Sequence, residues 1–322
     1  MRAGLTAIIV TPAPTGARNG NRITALRWAK RLRELGSRVR LAQRWDGEPC
    51  DVLIAVHAVR SHASIRRHAE QCPSGRRIVA LAGTDIYADG IAREAVESIE
   101  LATGIVVLQP EAARRLPTRA RAKVRVILQS ASPSPAKLRL APPAALEVVC
   151  LAHLREVKDP FLAAEAARLL PASSRTRVLH LGSAPDEGWR RRAEAAATTS
   201  NGRWSWLGGR PRSAALRILR GADVFLLTSI NEGGANVVSE AIACGIPILS
   251  TKNDGAVGIL GPDHPGYFPV GHATALAGLL DRCETDAAFV RELRIRSVSL
   301  QRLVDPSAER RAWSDLLTEV CR

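Results

Sequence analysis

The sequence lacks any long hydrophobic run. Its apolar stretches all fall short of the roughly 18 residues that a membrane-spanning helix needs. The N-terminus also leads directly into a predicted strand, without the apolar core and small-residue cleavage site of a signal peptide. We therefore expect a cytoplasmic protein that has no membrane partner.

Motifs for metals and dinucleotides are missing as well. The six cysteines are widely scattered and form no C-x-x-C pair or other metal-ligand spacing. No G-x-G-x-x-G sequence follows the first predicted strand, and nothing else suggests a dinucleotide. These absences predict buried or idle thiols, no bound metal and no cofactor.

Lysine and aromatic residues are scarce. Only five of the 46 basic residues are lysines, and Phe, Trp and Tyr together make up 4% of the chain. The formal net charge of +15 therefore comes almost entirely from arginines, which are scattered on predicted helices among Ala and Leu. Single-strand binders interleave basic residues with aromatic ones, and this sequence does not. We expect no nucleic-acid partner; a basic nucleic-acid-binding protein is the non-enzymatic alternative.

What the sequence does contain is an alternation of short apolar runs and helix-length segments. A chain of 322 residues, 46% of them hydrophobic, usually forms two domains of roughly 150 residues each. The apolar runs resemble buried strands, and the segments between them are rich in Ala, Leu and Arg. The clearest runs are Ala7–Val10, Val52–Val56, Ile105–Leu108 and Val224–Leu227. The pattern predicts an α/β protein with parallel sheets.

The order of these segments predicts two Rossmann-like domains that face each other across a cleft. The first covers residues 1–131 and the second covers residues 146–305. Residues 132–145 form the predicted linker, because proline is frequent there and both removes a backbone donor and disfavours helix. A last helix in residues 306–322 can cross back onto the first domain. Ligands of such folds bind where the carboxyl ends of the strands meet.

The most informative segment runs from Thr228 to Ser250. A buried strand ends at Thr228, a turn carries Glu232 and two glycines, and a helix then begins. Backbone amides at a helix N-terminus, with the positive end of the helix dipole behind them, favour a diphosphate. Glycine in the turn lets such a ligand approach the backbone closely. The segment therefore predicts a diphosphate site.

Glu232 and Glu240 are eight residues apart, the first in the turn and the second in the helix. At that spacing one carboxylate can sit by a sugar while the other accepts hydrogen bonds from a diol such as a ribose. Each glutamate also has a simpler interpretation, Glu232 as an acid that favours the helix dipole and Glu240 as a solvated surface residue. Small residues around Glu240, among them Ala241, Ala243 and Gly245, indicate a tightly packed helix instead.

This segment resembles the family 4 glycosyltransferases of the GT-B fold, whose pattern runs Glu-Gly, several residues, Glu-Ala, then Gly-x-Pro. The resemblance implies a nucleotide-sugar donor, with Glu232 in contact with the transferred sugar and Glu240 bound to the ribose. It also implies a diphosphate held by the backbone around Gly233, Gly234, Asn236, Val237 and Val238. The Asp-x-Asp motif of metal-using transferases is absent, so helix amides and a lysine would replace the ion.

A second segment of the same resemblance follows the predicted strand Glu147–Leu151. The stretch from His153 to Asp159 looks like the family's strand-end segment, whose basic pair contacts the donor phosphates. By that resemblance Arg155 and Lys158 neutralise the leaving diphosphate as the sugar–phosphate bond breaks. In many family members the arginine lies five residues before the lysine, where this chain has His153. By residue type alone, the two basic residues would be surface charges.

The first predicted domain carries polar residues after three of its strands. The loop after the first strand suits either an anion or a plain turn, and its residues of interest are Gly16, Arg18, Gly20, Asn21 and Arg22, with Asn21 as the expected helix cap. Two further strand ends carry His57 and the Gly83-Thr84-Asp85 segment, which would point into the same cleft. The alternative for His57 is a structural histidine.

Taken together, these three segments of the first predicted domain resemble a narrower group, the selenosugar synthases of selenoneine biosynthesis. The resemblance covers essentially the whole chain, including residues 107–110 and 129–131. It implies transfer of N-acetylglucosamine or glucose from a UDP-sugar to the selenium of selenophosphate, followed by loss of phosphate. The implied acceptor-binding residues are Arg18, Asn21, Arg22, Thr24 and Thr84, with His57 and Asp85 orienting the acceptor or managing water.

The chemistry of selenophosphate agrees with this residue set. Its selenium is already a good nucleophile near neutral pH, so no strong general base is required. The protein has chiefly to hold two anionic ligands close and in line, which an excess of positive charge suits. The nearest alternative is a family 4 glycosyltransferase whose acceptor is a small molecule bearing a thiol or a hydroxyl.

Overall fold

The computed structural model describes residues 4–17, 19–87 and 91–321, and the chain divides into two units. Each unit is built on a six-stranded parallel sheet, which confirms the predicted pair of Rossmann-like α/β domains. The first unit consists of Met1–Ser130, Glu232–Asn236 and Leu303–Arg322, and the second of Ala131–Asn231 and Val237–Arg302.

The sheet of the first unit is buried on both faces. Its strands are β1 (Thr6–Val10), β2 (Arg38–Ala42), β3 (Val52–Val56), β4 (Arg76–Leu81), β5 (Gly104–Val107) and β6 (Val124–Val126). Their spatial order is β2-β1-β3-β4-β5-β6, with every neighbouring pair parallel. Successive strand residues point to opposite faces, so Ile9 packs into one apolar cluster and Ile8 into another. Burial on both faces explains why the central strands are apolar throughout.

The second sheet repeats this arrangement. Its strands are β7 (Glu147–Leu151), β8 (Arg177–Leu181), β9 (Trp204–Trp206), β10 (Val224–Leu227), β11 (Ile248–Thr251) and β12 (Tyr267–Phe268). The spatial order β12-β11-β10-β7-β8-β9 is again parallel throughout. Val148 and Val149 enter different apolar clusters, one on each face. The carboxyl ends of β7 and β10 therefore lie side by side at the centre of the sheet.

Helices connect the strands in both units. Those of the first half are α1 (Gly20–Glu34), α2 (His62–Gln71), α3 (Thr84–Tyr87), α4 (Arg93–Leu101), α5 (Glu111–Arg114) and α6 (Thr118–Arg121). The second half of the chain adds α7 (Leu162–Leu169), α8 (Glu187–Thr199), α9 (Arg212–Gly221), α10 (Asn236–Ala243), α11 (Asp254–Leu260), α12 (Ala273–Thr285) and α13 (Ala287–Leu300). Among the described residues, none of the helices combines the length and the apolar content that crossing a membrane requires.

The last helix, α14 (Pro306–Val320), groups with the first unit. Asp305 caps it by accepting a backbone hydrogen bond from the first turn, and Pro306 stands where a missing N–H does no harm. Trp313 is fully buried against Trp28, with the ring centroids 4.9 Å apart in an edge-to-face arrangement. This contact anchors α14 on α1.

The proline-rich stretch that the sequence predicts as a linker packs within the second unit. The backbone N–H of Leu138 donates to the carbonyl of Arg217 in α9, at 2.8 Å. A Cβ on Gly221 would overlap the carbonyl group of Leu138. The stretch can lie against the end of α9 only because residue 221 has no side chain.

Candidate active site

Lys158 lies where the ends of the two central strands of the second sheet are tied together. It ends a single 3-10 turn, Glu156–Lys158, just after β7. Its carbonyl oxygen accepts a hydrogen bond of 2.8 Å from the hydroxyl of Thr228, the residue after β10. The backbone N–H of Ile230 donates to the carbonyl of Val157 at 2.9 Å. The predicted basic segment and the start of the predicted diphosphate loop are therefore neighbours.

The two basic residues of this segment differ in burial. The Lys158 side chain is half-buried, whereas Arg155 is exposed. His153, which stands where many family 4 members have an arginine, accepts a hydrogen bond from the backbone N–H of Ser183 through Nδ1, at 3.1 Å. Of the three, Lys158 is the residue whose backbone is bonded to the residue that follows β10.

The beginning of the loop after β10 is also held from β11. The carbonyl of Ser229 accepts hydrogen bonds from the hydroxyl of Thr251 at 2.6 Å and from the side-chain amide of Asn253 at 2.8 Å. Asn253 in turn caps α11 by accepting from the backbone N–H of Ala256. The loop thus leaves the sheet in a direction that three adjacent strand ends determine.

The glycines of the turn are required for steric reasons. Glu232–Asn236 groups with the first unit, where a Cβ on Gly233 would lie 2.5 Å from the carbonyl oxygen of Ala82 and would overlap Gly83. A Cβ on Gly234 would overlap the side chain of Leu108. These glycines therefore allow close packing of the turn against Ala82, Gly83 and Leu108.

Asn236 begins α10 and is held by α1. Its side-chain oxygen accepts a hydrogen bond of 2.6 Å from Nη1 of Arg27, and Arg27 also donates through Nε to the buried carboxylate of Glu309, at 3.0 Å. Of the next two residues predicted to hold a diphosphate, Val237 is half-buried and Val238 is buried. The side chain of Asn236 is thus held, within the first unit, by an arginine that also pairs with Glu309.

Glu240 is buried in α10, so the alternative of a solvated surface residue is wrong. Glu240 is 4% exposed, and its Oε1 forms an ion pair with Nη2 of Arg212, the first residue of α9. A buried carboxylate is stable when a cation compensates it. Arg212 could not be identified from the sequence, because nothing in the local pattern connects two residues that are 28 positions apart.

A cavity of about 450 Å³ opens beside the ends of β8 and β9. Trp206 forms part of its wall and donates a hydrogen bond from its indole N–H to the carbonyl of Gly182 at 2.8 Å. Gly208 and Gly209 also line it, together with Ser183, Asp186 and Arg190. The cavity lies at the carboxyl edge of the sheet, as Lys158 does, and offers an aromatic wall and polar groups to a ligand.

In the first unit, Asp85 connects the ends of two neighbouring strands. Its carboxylate accepts backbone hydrogen bonds from Ala58 at 2.9 Å, from Ala82 at 3.1 Å and from Gly83 at 2.7 Å. These N–H groups follow β3 and β4, whose carboxyl ends are adjacent. Asp85 thereby shapes the segment that the sequence predicts to face an acceptor.

His57 lies beside this carboxylate, with its Nδ1 3.8 Å from Oδ2 of Asp85. The ring is buried, and the residue adopts a left-handed backbone conformation with φ of 76°, which is unusual for a residue other than glycine. Burial lowers the pKa of His57, although the charge of Asp85 acts in the opposite direction. Burial in this position therefore favours the neutral form of the imidazole.

The predicted cap of α1 is wrong by two residues. Asn19, not Asn21, is the N-cap, and its side chain accepts a hydrogen bond of 3.1 Å from the backbone N–H of Arg22. Asn21 lies inside the first turn, and Gly20 is the first helical residue instead of part of the loop. Arg18, the other predicted anion ligand of this loop, lies outside the described residues.

The remaining predicted acceptor residues are on α1 and α3. Thr24 is buried, and its hydroxyl accepts a hydrogen bond of 2.7 Å from the side-chain amide of Gln129, which follows β6. Arg22 is half-buried in the first turn of α1. Thr84 begins α3, and its side chain lies outside the described residues. These residues therefore belong to the helices that follow β1 and β4, two strands of one sheet.

Comparisons of sequence find a match to a known family in the C-terminal half. Residues 140–297 match the family described as glycosyl transferases group 1. Over 158 residues the chain is 33% identical to WcaL of Escherichia coli (strain K12), named as a candidate colanic acid biosynthesis glycosyltransferase. That match covers 45% of this chain and 37% of WcaL, so the chain spans little more than a third of this relative.

Comparisons of structure cover nearly the whole chain. HepE of Anabaena, solved in complex with UDP, superposes with a TM-score of 0.79 at 13% identity, over 98% of this chain and 100% of HepE. Sucrose-phosphate synthase of Thermosynechococcus elongatus gives a TM-score of 0.79 at 17% identity, over 99% of both chains. By its fold the chain is a GT-B protein, and its residues 140–297 match the glycosyl transferases group 1 family.

Proposed function

We propose that this chain is a glycosyltransferase that takes its sugar from a UDP-sugar. The observation that carries the proposal is the carboxyl edge of the second sheet, where the backbone of Lys158 is bonded to Thr228 and the loop from Thr228 leads into a helix with a buried Glu240. The match to glycosyl transferases group 1 over residues 140–297 supports it. HepE, which shares the fold, has been solved with UDP-glucose.

Each donor-side residue has a proposed role. Backbone amides around Gly233, Gly234, Asn236, Val237 and Val238 bind the diphosphate. Glu232 contacts the transferred sugar, and Glu240 accepts hydrogen bonds from the ribose. Lys158, assisted by Arg155, stabilises the charge that builds on the diphosphate as the sugar leaves.

For the acceptor we propose selenophosphate, with N-acetylglucosamine or glucose as the transferred sugar. Selenium attacks C1 of the sugar while the bond from C1 to the UDP oxygen breaks, and the electron pair leaves with UDP. Water then cleaves the selenium–phosphorus bond, which gives phosphate and a 1-selenosugar. Arg18, Asn21, Arg22, Thr24 and Thr84 would hold the phosphoryl group, and His57 and Asp85 would orient the acceptor or the water.

A product analysis tests this proposal. The purified protein is incubated with UDP-N-acetylglucosamine or UDP-glucose together with selenophosphate, thiophosphate or a simple thiol, and the products are identified by mass. We expect UDP, phosphate and a 1-selenosugar from one of the two donors. Transfer to thiols but not to selenophosphate would favour the alternative acceptor class. If UDP is not released with any of these acceptors, the proposal that the chain is a glycosyltransferase is contradicted.

The two glutamates should separate donor binding from transfer. Glu240→Gln is expected to weaken UDP binding by about tenfold or more, since a hydrogen bond to a charged group contributes roughly 1.5–3 kcal/mol. Glu232→Gln should lower kcat while the Kd for UDP changes by less than about threefold. Calorimetry and steady-state kinetics provide both quantities. Wild-type behaviour of both variants would exclude the assigned roles.

We also propose that transfer needs no divalent metal. Helix amides and Lys158 would supply the positive charge that Mg²⁺ provides in metal-using transferases. The rate of UDP release should therefore stay within about twofold of its original value after treatment with excess EDTA. Loss of activity in EDTA that added Mg²⁺ restores would overturn this part of the proposal.

A further inference from the structure

The ion pair between Arg212 and Glu240 is strongly asymmetric. The Arg212 side chain is 46% exposed, whereas the Glu240 side chain is 4% exposed, and the contact joins Nη2 of the arginine to Oε1 of the carboxylate. The arginine thus reaches from the surface to a carboxylate that water hardly touches. Any ligand that approaches Glu240 from solvent meets a carboxylate whose orientation Arg212 already restricts.

The location of Arg212 is unfavourable for its own helix. It is the first residue of α9, directly after Pro211, and the first turn of α9 contains no acidic residue. A cation at a helix N-terminus opposes the positive end of the helix dipole. The interaction that offsets this disadvantage is the one with Glu240, so the position of Arg212 is better explained by the site than by α9.

Arg212 also lies close in sequence to residues that line the cavity beside β8 and β9. Gly209, which lines the cavity, is three residues before Arg212. The cavity wall and the cation that holds Glu240 are therefore supplied by one short segment of the chain, residues 208–212.

We propose that Arg212 is a positioning residue for the nucleotide: by holding Oε1 of Glu240 it directs the carboxylate toward the ribose hydroxyls and so creates the preference for a ribonucleotide over a 2′-deoxyribonucleotide. The inference rests on the proposed UDP-sugar function. It adds a residue and a specificity that the assignment of Glu240 alone does not contain. A purely structural Arg212 would affect the binding of all nucleotides equally.

The test compares the Kd of UDP with that of 2′-deoxy-UDP by calorimetry. Wild-type protein should prefer UDP by about tenfold or more, because a charged acceptor loses a hydrogen bond to the deoxy ligand. In Arg212→Ala the preference should fall below about threefold, and Arg212→Lys should restore part of it. Arg217→Ala is the matched control, since Arg217 is an exposed arginine on the same helix, and it should keep the wild-type preference.

The ratio of the two dissociation constants decides the outcome. If Arg212→Ala weakens both ligands equally and the preference stays at the wild-type value, the positioning role is refuted while UDP binding stands. If wild-type protein binds neither nucleotide, the proposed function fails, and this inference fails with it. Should the alanine variant not fold, Arg212→Gln and Arg212→Lys are judged by the same ratio. An unchanged preference in both would equally refute the role.

Discussion

Replacing Glu309 by alanine is expected to lower the free energy of unfolding by about 3–5 kcal/mol. The carboxylate is buried in the first unit and accepts hydrogen bonds from Arg27 Nε at 3.0 Å, from Trp28 Nε1 at 3.0 Å and from Ser130 Oγ. Arg31 Nε lies 3.5 Å from Oε2 of Glu309, the oxygen that also accepts from Ser130. Alanine would leave two largely buried guanidinium groups without their shared carboxylate, which is why the expected loss is large.

Urea denaturation followed by tryptophan fluorescence measures this loss, because Trp28 and Trp313 are buried beside the network. Glu319→Ala is the matched control. Glu319 is on the same helix and pairs with Arg125, but its side chain is 51% exposed, so its removal should change the stability by no more than about 1 kcal/mol. Equal losses of unfolding free energy in the two variants would mean that burial does not increase the contribution of the Glu309 carboxylate to stability.

Replacing Lys158 by alanine should reduce kcat/KM for the UDP-sugar by about 10²–10³, the largest loss of activity that we expect from one side chain. On the proposed function, its ammonium group neutralises charge that develops only as the sugar–phosphate bond breaks. The bond that Thr228 makes to the carbonyl of Lys158 should persist, since it does not involve the side chain. Release of UDP at several donor concentrations measures the effect.

The control for this variant is Lys137→Ala, which removes an exposed lysine from the proline-rich stretch. It should leave kcat/KM within about twofold of the wild-type value. Arg155→Ala should fall between the two, because Arg155 is exposed and a solvated cation stabilises charge less effectively than a half-buried one. A Lys158→Ala variant as active as the control would remove Lys158 from the catalytic residues.

The central strands could be predicted from sequence because their burial is a local property of the chain. The structure confirms Val52–Val56, Glu147–Leu151 and Val224–Leu227 at both ends. Strands covered on both faces are apolar at nearly every position, and this makes them visible without any partner. The edge strands Trp204–Trp206 and Tyr267–Phe268 were not predicted, since two or three residues with one neighbouring strand show no periodicity.

The candidate site was predicted where its residues belong to one continuous segment. Glu232, the glycines and Glu240 lie within nine residues, so a strand, a turn and a helix are enough to predict their spacing. The cap of α1 shows the limit of local reasoning. Both Asn19 and Asn21 are suitable residue types, and only the position of the first helical residue decides which one accepts the backbone hydrogen bond.

The sequence by itself determined the two parallel sheets, the loop-to-helix segment after β10 and the identity of the two glutamates in it, because these follow from local periodicity and from turn-forming residues. Only the tertiary structure decided that Glu240 is buried against Arg212, that Arg27 joins Asn236 to Glu309, and that Asp85 links two strand ends. The sequence around a charged residue is the same whether its side chain pairs with a buried carboxylate or with water. Its partner is chosen by the packing of elements that are far apart along the chain.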